Sequence, residues 1–173
     1  MVPSLCDNIT KPSAGDANQQ AALRLASLEA LGFTCEELVN ANQQAHLAAA
    51  SNHILTALIF GMRQEERAEV RKAAVNALYN SMEFVESNMD KENERNVIMQ
   101  HVCETTQCED VEVRSAAYEC LIKVAEEYYQ YLDAYIQTIF NVSIHCHHFS
   151  ILSHHCCCAQ LFTISLLALI CVL

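Results

Sequence analysis

Two stretches of this chain are variations on one pattern: "RKAAVNALYNS" at 71–81 and "RSAAYECLIKV" at 114–124. Each opens with an arginine, sets two alanines shortly after it, and reaches a leucine seven residues from the arginine. An earlier copy places Arg24, Ala26, Ala30 and Leu31 in matching positions, so the three arginines lie 47 and then 43 residues apart. The segments between them repeat too, since "ILTALIFGM" at 54–62 stands 43 residues before "VIMQHVCET" at 97–105. Repetition at this period constrains the fold more than any composition does. Each copy must form the same unit, and each must bury its apolar side against the next copy.

The unit itself reads as two helices. Residues 1–133 contain no alternating polar/apolar run of strand type, and the whole chain has only three glycines. Apolar residues at helical spacing predict helices over 1–10, 19–39, 51–62, 67–86, 97–108 and 113–129. "TKPSAGD" breaks the first from the second, Ser51 or Asn52 offers an N-cap to the third, and 40–52 and 64–69 read as loops. Two antiparallel helices recurring every 40–47 residues is the period of HEAT and armadillo arrays, and small residues in the second helix let it lie close to its neighbour. The expected fold is all-α: a HEAT-repeat (armadillo-type) α-solenoid of about three repeats.

Charge narrows the partners. The formal net charge is −11, with 10 Lys and Arg against 21 Asp and Glu, which excludes the basic face that nucleic acid requires. The last basic residue is Lys123 and the last acid is Asp133, so 134–173 carries no ionised side chain except its histidines. That break divides the chain into a repeat region, 1–142, and a His/Cys-rich, apolar tail, 143–173. No leader of secretory type heads the chain, and Cys35, Cys103, Cys108 and Cys120 fall in apolar helical patterns, so the cysteines are read as reduced core residues. His46, His53 and His101 read as surface or packing residues, and the neighbouring glutamates as solvated faces. No phosphate loop, nucleophile elbow or HExxH occurs, so neither an enzyme nor a cofactor is expected. In the tail, His145, Cys146, His147, His148, His154, His155 and Cys156–Cys158 lack the paired ligand spacing of a zinc site, and no metal is expected there. The apolar run 161–173 is short of the ~20 residues that span a bilayer, which argues against a membrane anchor.

Three stretches go beyond a generic repeat. "SLEALGFTCEEL" (27–38), "ILTALIFGMR" (54–63) and "DKENERNVIMQHVCETTQCEDVEVRSAAYECLIKVAEEYYQYLDAYI" (90–136) resemble the N-terminal arch of the importin-β (karyopherin-β) family, in the same order and spacing. "AAYECL" and "YIQTIFNV" are most similar to its plant-type members. The resemblance covers 2–142 and stops there. It implies a fragment of a nuclear import receptor, found in cytoplasm and nucleus and at the nuclear pore. Such a receptor binds Phe-Gly nucleoporins, the GTPase Ran, and importin-α or basic cargo. The earliest repeats and the later arch are missing from the match, so the Ran site is expected to be incomplete. The family's Phe-Gly pocket lies on the outer surface between the first helices of successive repeats. Carried over, it comprises Leu55, Thr56 and Ile59 from one helix and Glu94, Val97 and Ile98 from the next. Animal members often have Phe at the position of Val97, which implies a shallower pocket here.

The residues themselves leave the point open. On "ILTALIFGM" one face (Ile54, Ala57, Leu58, Gly61) can pack inward, while Leu55, Ile59 and Met62 form a second apolar face. A helix apolar on two faces is either buried between layers or presents an outer groove. The competing readings are a generic HEAT scaffold and a small tail-anchored membrane protein. Because 143–173 departs from the repeat pattern, its removal is expected to leave the helicity per body residue unchanged and to raise solubility. Far-UV circular dichroism and the soluble fraction check this; a large loss of body stability would contradict it.

Overall fold

Asp16 begins a helix of 24 residues by a reciprocal cap. Its carboxylate accepts the Gln19 amide at 2.8 Å, and the Gln19 side chain accepts the Asp16 amide at 3.2 Å. Two amides that the first turn leaves without intrahelical partners are thereby satisfied. The computed structural model describes residues 1–12, 15–41 and 45–142; the tail lies outside the described residues, and with it the zinc and membrane-anchor readings. Among the described residues all regular structure is helical, as expected.

In chain order the helices are α1 (Val2–Thr10), α2 (Ala17–Asn40), α3 (Ala45–Ala48), α4 (Ser51–Gly61), α5 (Ala68–Ser81), α6 (Glu86–Met89), α7 (Glu92–Thr105) and α8 (Val111–Glu127). Residues 136–142 are helical again. The pairs α1/α2, α4/α5 and α7/α8 are the three repeats. Within each pair the helices pack together, and α5 packs on α2 and α8 on α5. The core is therefore shared between repeats, with Leu28 and Leu31 of α2, Ala74, Val75 and Leu78 of α5, and Ala117 and Leu121 of α8 fully buried.

Close approach explains the small residues of the repeated pattern. A Cβ added to Gly32 would lie 3.3 Å from the Ala77 Cβ, and one on Gly61 would lie 2.8 Å from the Ala74 Cβ. Larger side chains at Ala74 or Ala77 would hold the helices apart and open voids around the leucines.

The repeated arginine also has a common task. Arg24 Nε donates to the Ile9 carbonyl at 3.1 Å, Arg71 Nε to the Met62 carbonyl at 3.3 Å, and Arg114 Nη1 to the Cys108 and Glu109 carbonyls, both at 2.8 Å. Each arginine of a second helix thus reaches back to its own repeat: Arg24 and Arg71 to carbonyls at the end of the first helix, where several are left without intrahelical donors, and Arg114 to carbonyls in the turn that follows α7. Two of them also reach on to the next connection: Arg24 Nη1 donates to Glu66 at 2.6 Å and Arg71 Nη1 to Cys108 Sγ at 2.9 Å.

Four expectations from the sequence are corrected. Neither Ser51 nor Asn52 caps α4; Ala50 occupies that position without a side-chain cap, because the turn after α3 already leads the backbone into the helix. Residues 67–86 are not one helix. α5 ends at Ser81, a 3-10 turn follows over Met82–Phe84, and α6 comes after Val85. The break lets Met82, Phe84, Val85 and Met89 all face the core, which a straight helix would prevent, and Tyr128 Oη donates to the Met82 carbonyl at 2.6 Å. The 40–52 connection contains α3, whose Leu47 is buried. Cys108 stands in the turn after α7, half-buried, and not within an apolar helix face. Cys35, Cys103 and Cys120 are buried as expected, and burial pushes the Cys35 thiol up to about 12 and that of Cys103 to about 11.

Gly61→Ala is expected to destabilise the protein, because the new Cβ would collide with Ala74 and with Leu28 Cδ1 at 3.0 Å. Overpacking of this kind costs about 1–3 kcal/mol, against at most ~1 kcal/mol that alanine gains over glycine in helix propensity. The urea midpoint should fall; an unchanged midpoint would show that α4 can move away from α5 without cost.

Candidate functional site

The first helices do not stack as the second ones do. α1 packs on α4, but α4 and α7 make few close contacts, and α6 packs beside α7. Between them lies a groove of about 470 Å³, open to solvent. All six residues carried over from the sequence border it: Leu55, Thr56 and Ile59 from α4, and Glu94, Val97 and Ile98 from α7. Asn52, Phe60, Arg63, Asn88 and Asn93 complete the lining.

Burial assigns these residues different tasks. Leu55 and Ile98 are only 6% and 2% exposed and form the floor, Ile59 is half-buried, and Val97 stands 45% exposed as a wall. Of the outer stripe expected on α4, Met62 is the exception. α4 stops at Gly61, and Met62 turns into the core. The helix apolar on two faces is therefore buried on one and partly open on the other.

The polar rim is asymmetric. Thr56 Oγ1 donates to the Asn52 carbonyl at 2.7 Å, so its proton is committed within α4 and only its lone pairs face outward. Glu94 accepts from Lys91 Nζ at 3.0 Å and from Asn88 Nδ2 at 2.5 Å. Those two hydrogen bonds, Lys91's first, hold its carboxyl below the usual range, so it is an ionised acceptor at the groove mouth. At the other end Arg63 lies 4.4 Å and Arg24 4.9 Å from the centroid of the Phe60 ring. Two cations against one half-buried ring fix the groove's far wall.

Sequence reasoning missed Asn52, Phe60, Arg63, Asn88 and Asn93. Phe60 and Arg63 come four residues after Thr56 and Ile59, Phe60 on α4 and Arg63 just past its end, so the spacing could have found them. Nothing in the order of residues signals that Asn88 would meet Asn52. A second groove, of about 590 Å³, lies along α2, α5 and α8, between the exposed Phe33, Tyr79 and Glu119. Among the described residues no group of three or more His, Cys, Asp or Glu is placed to hold a metal ion, and no helix is long and apolar enough to cross a membrane.

No protein-family model matches this chain. It is 44% identical to importin subunit beta-1 of Saccharomyces cerevisiae over 122 residues, and 42% identical to that of Arabidopsis thaliana over 125 residues. These matches take in 70% and 71% of the chain but only 14% of either relative, so the chain spans about a seventh of their length. Among solved structures, importin β in an ammonium sulfate condition matches 83% of the chain with a TM-score of 0.70 and 36% identity, and the chain covers 17% of it. The Kap95:Nup1 complex matches 89% of the chain, with a TM-score of 0.65 and 30% identity, and 20% of that chain is covered. A structure of Kap95p with RanGDP matches 81%, with a TM-score of 0.64 and 37% identity, and 14% is covered. Identity at this level, carried on the same stack of helix pairs, makes this chain a partial importin-β family protein.

Proposed function

We propose that the chain is part of a nuclear import receptor that acts by binding, and that the α4/α7 groove receives the phenylalanine of a Phe-Gly nucleoporin repeat. The observation that carries this reading is the groove itself: an apolar floor and wall from two successive repeats, with an ionised acceptor, Glu94, at its mouth. A phenyl ring fits such a floor, and the peptide's own amide can donate to the carboxylate. The similarity to a Kap95:Nup1 complex supports a nucleoporin as the occupant.

Burying one phenylalanine gains roughly 1.5–3 kcal/mol, much of it offset by ordering a disordered peptide. One groove therefore binds weakly and releases quickly, and useful affinity comes from several repeats acting together. The same reading extends to Ran, by similarity to a Kap95p structure with RanGDP, and to importin-α or basic cargo, which the net charge of −11 suits. It places the protein in cytoplasm and nucleus, passing the nuclear pore.

Val97→Asp is expected to reduce Phe-Gly peptide binding at least tenfold with no change in helix content, because Val97 is already half in water. Leu55→Asp is expected to unfold the repeat, since Leu55 is buried. Isothermal or NMR titration with a Phe-Gly repeat peptide decides. A folded Val97→Asp variant that binds like the parent would put the nucleoporin site elsewhere; no binding by the parent would favour a scaffold without a role at the pore.

A further inference from the structure

Asn88 is an unusual residue to find under a binding groove. It sits in α6, is 1% exposed, and lines the groove between the two helices that form its walls. Its amide nitrogen donates to Asn52 Oδ1 of α4 at 2.6 Å and to Glu94 Oε2 of α7 at 2.5 Å. A carboxylate can only accept, so the nitrogen end of the amide must face Glu94. The oxygen of Asn88 is buried without a hydrogen-bond partner. A buried acceptor left unpaired lowers stability, and an apolar residue of similar volume would avoid that penalty. Packing alone does not account for an asparagine here.

What the amide does is join the walls. α4 and α7 make few close contacts with each other, so the Asn88 amide is a direct link between Asn52 and Glu94. We propose that Asn88 is a positioning residue of the groove, which ties Asn52 to Glu94 beneath the mouth, fixes the spacing of α4 and α7 there, and aims the Glu94 carboxylate at an incoming peptide N–H. This rests on the reading of the groove as a Phe-Gly site. Lys91 holds the other oxygen of Glu94 from its exposed side, so the carboxylate is gripped from above and below and keeps one orientation before the peptide arrives. Groups supported in this way bind without first being ordered, which is how a supporting residue that never touches the ligand raises affinity.

The test is a titration of the full-length chain with a Phe-Gly repeat peptide, together with the carbon-13 NMR titration of the Glu94 carboxyl group. Asn88→Leu, close in volume, should weaken peptide binding about tenfold and move the Glu94 carboxyl pKa upward, as one of its two donors is lost. Asn52→Ala should weaken binding about threefold and leave the Glu94 titration in place, because only the α4 arm is cut. Asn52 is exposed, so this variant keeps the fold and carries the test even if Asn88→Leu does not fold. Parent-like binding by Asn52→Ala, or weakened binding by a folded Asn88→Leu with the Glu94 titration unmoved, would overturn the proposal. Absence of binding by the parent protein would instead bring down the Phe-Gly reading, and this inference with it.

Discussion

The fold depends on how closely α2, α5 and α8 approach one another. A two-helix unit has too little apolar surface of its own to hold together, so each repeat is stabilised by what it buries against the next. That burial requires small residues where the helices approach. Gly32 meets Ala77, and Gly61 meets Ala74 and Leu28, at separations that a larger side chain would not permit. The leucines beside them, Leu28, Leu31, Leu78 and Leu121, are fully buried as a result. Small residues at these approaches, Ala77 against Gly32 between repeats and Ala74 against Gly61 within one, are thus part of what lets the solenoid pack.

The outer groove is the consequence of that inner stack. Helices held together along one side of the solenoid need not pack along the other, and α4 and α7 make few close contacts. Of their apolar side chains Leu55 and Ile98 are covered, Ile59 and Val97 only in part, and a groove is what remains. The interruption after α5 contributes as well. By turning Met82, Phe84, Val85 and Met89 into the core, it brings α6 beneath the groove and carries Asn88 to the point between Asn52 and Glu94.

The polar groups in the interior follow a stricter economy than the apolar ones. Arg71 and Arg114 are almost wholly buried, and both donate to backbone carbonyls in the connection between the two helices of a repeat. A guanidinium can serve several acceptors at once in fixed geometry, which suits a helix end with several carbonyls to satisfy. The buried thiols do the opposite. Lacking strong partners, Cys35 and Cys103 are held neutral by their surroundings and behave as small apolar residues.

How much of this was legible in the order of residues can be said residue by residue. The repeat period and the pairing of helices were written in local pattern, because Arg24, Arg71 and Arg114 recur with their alanines at helical spacing; the family was legible only through the resemblance of 27–38, 54–63 and 90–136. The six residues of the candidate groove were legible only through resemblance; from spacing alone, the second apolar face of α4 could equally have been buried, as Met62 in fact is. The tertiary structure decided that α4 and α7 stand apart, that the chain breaks at Ser81, and that Asn52 meets Asn88 across 36 residues of sequence. It also decided what the repeated arginines hold, since their carbonyl acceptors lie on other helices and turns. The physical reason is range. Periodicity records which face of a helix is apolar, but whether that face is covered, and by what, depends on neighbours that arrive from elsewhere in the chain.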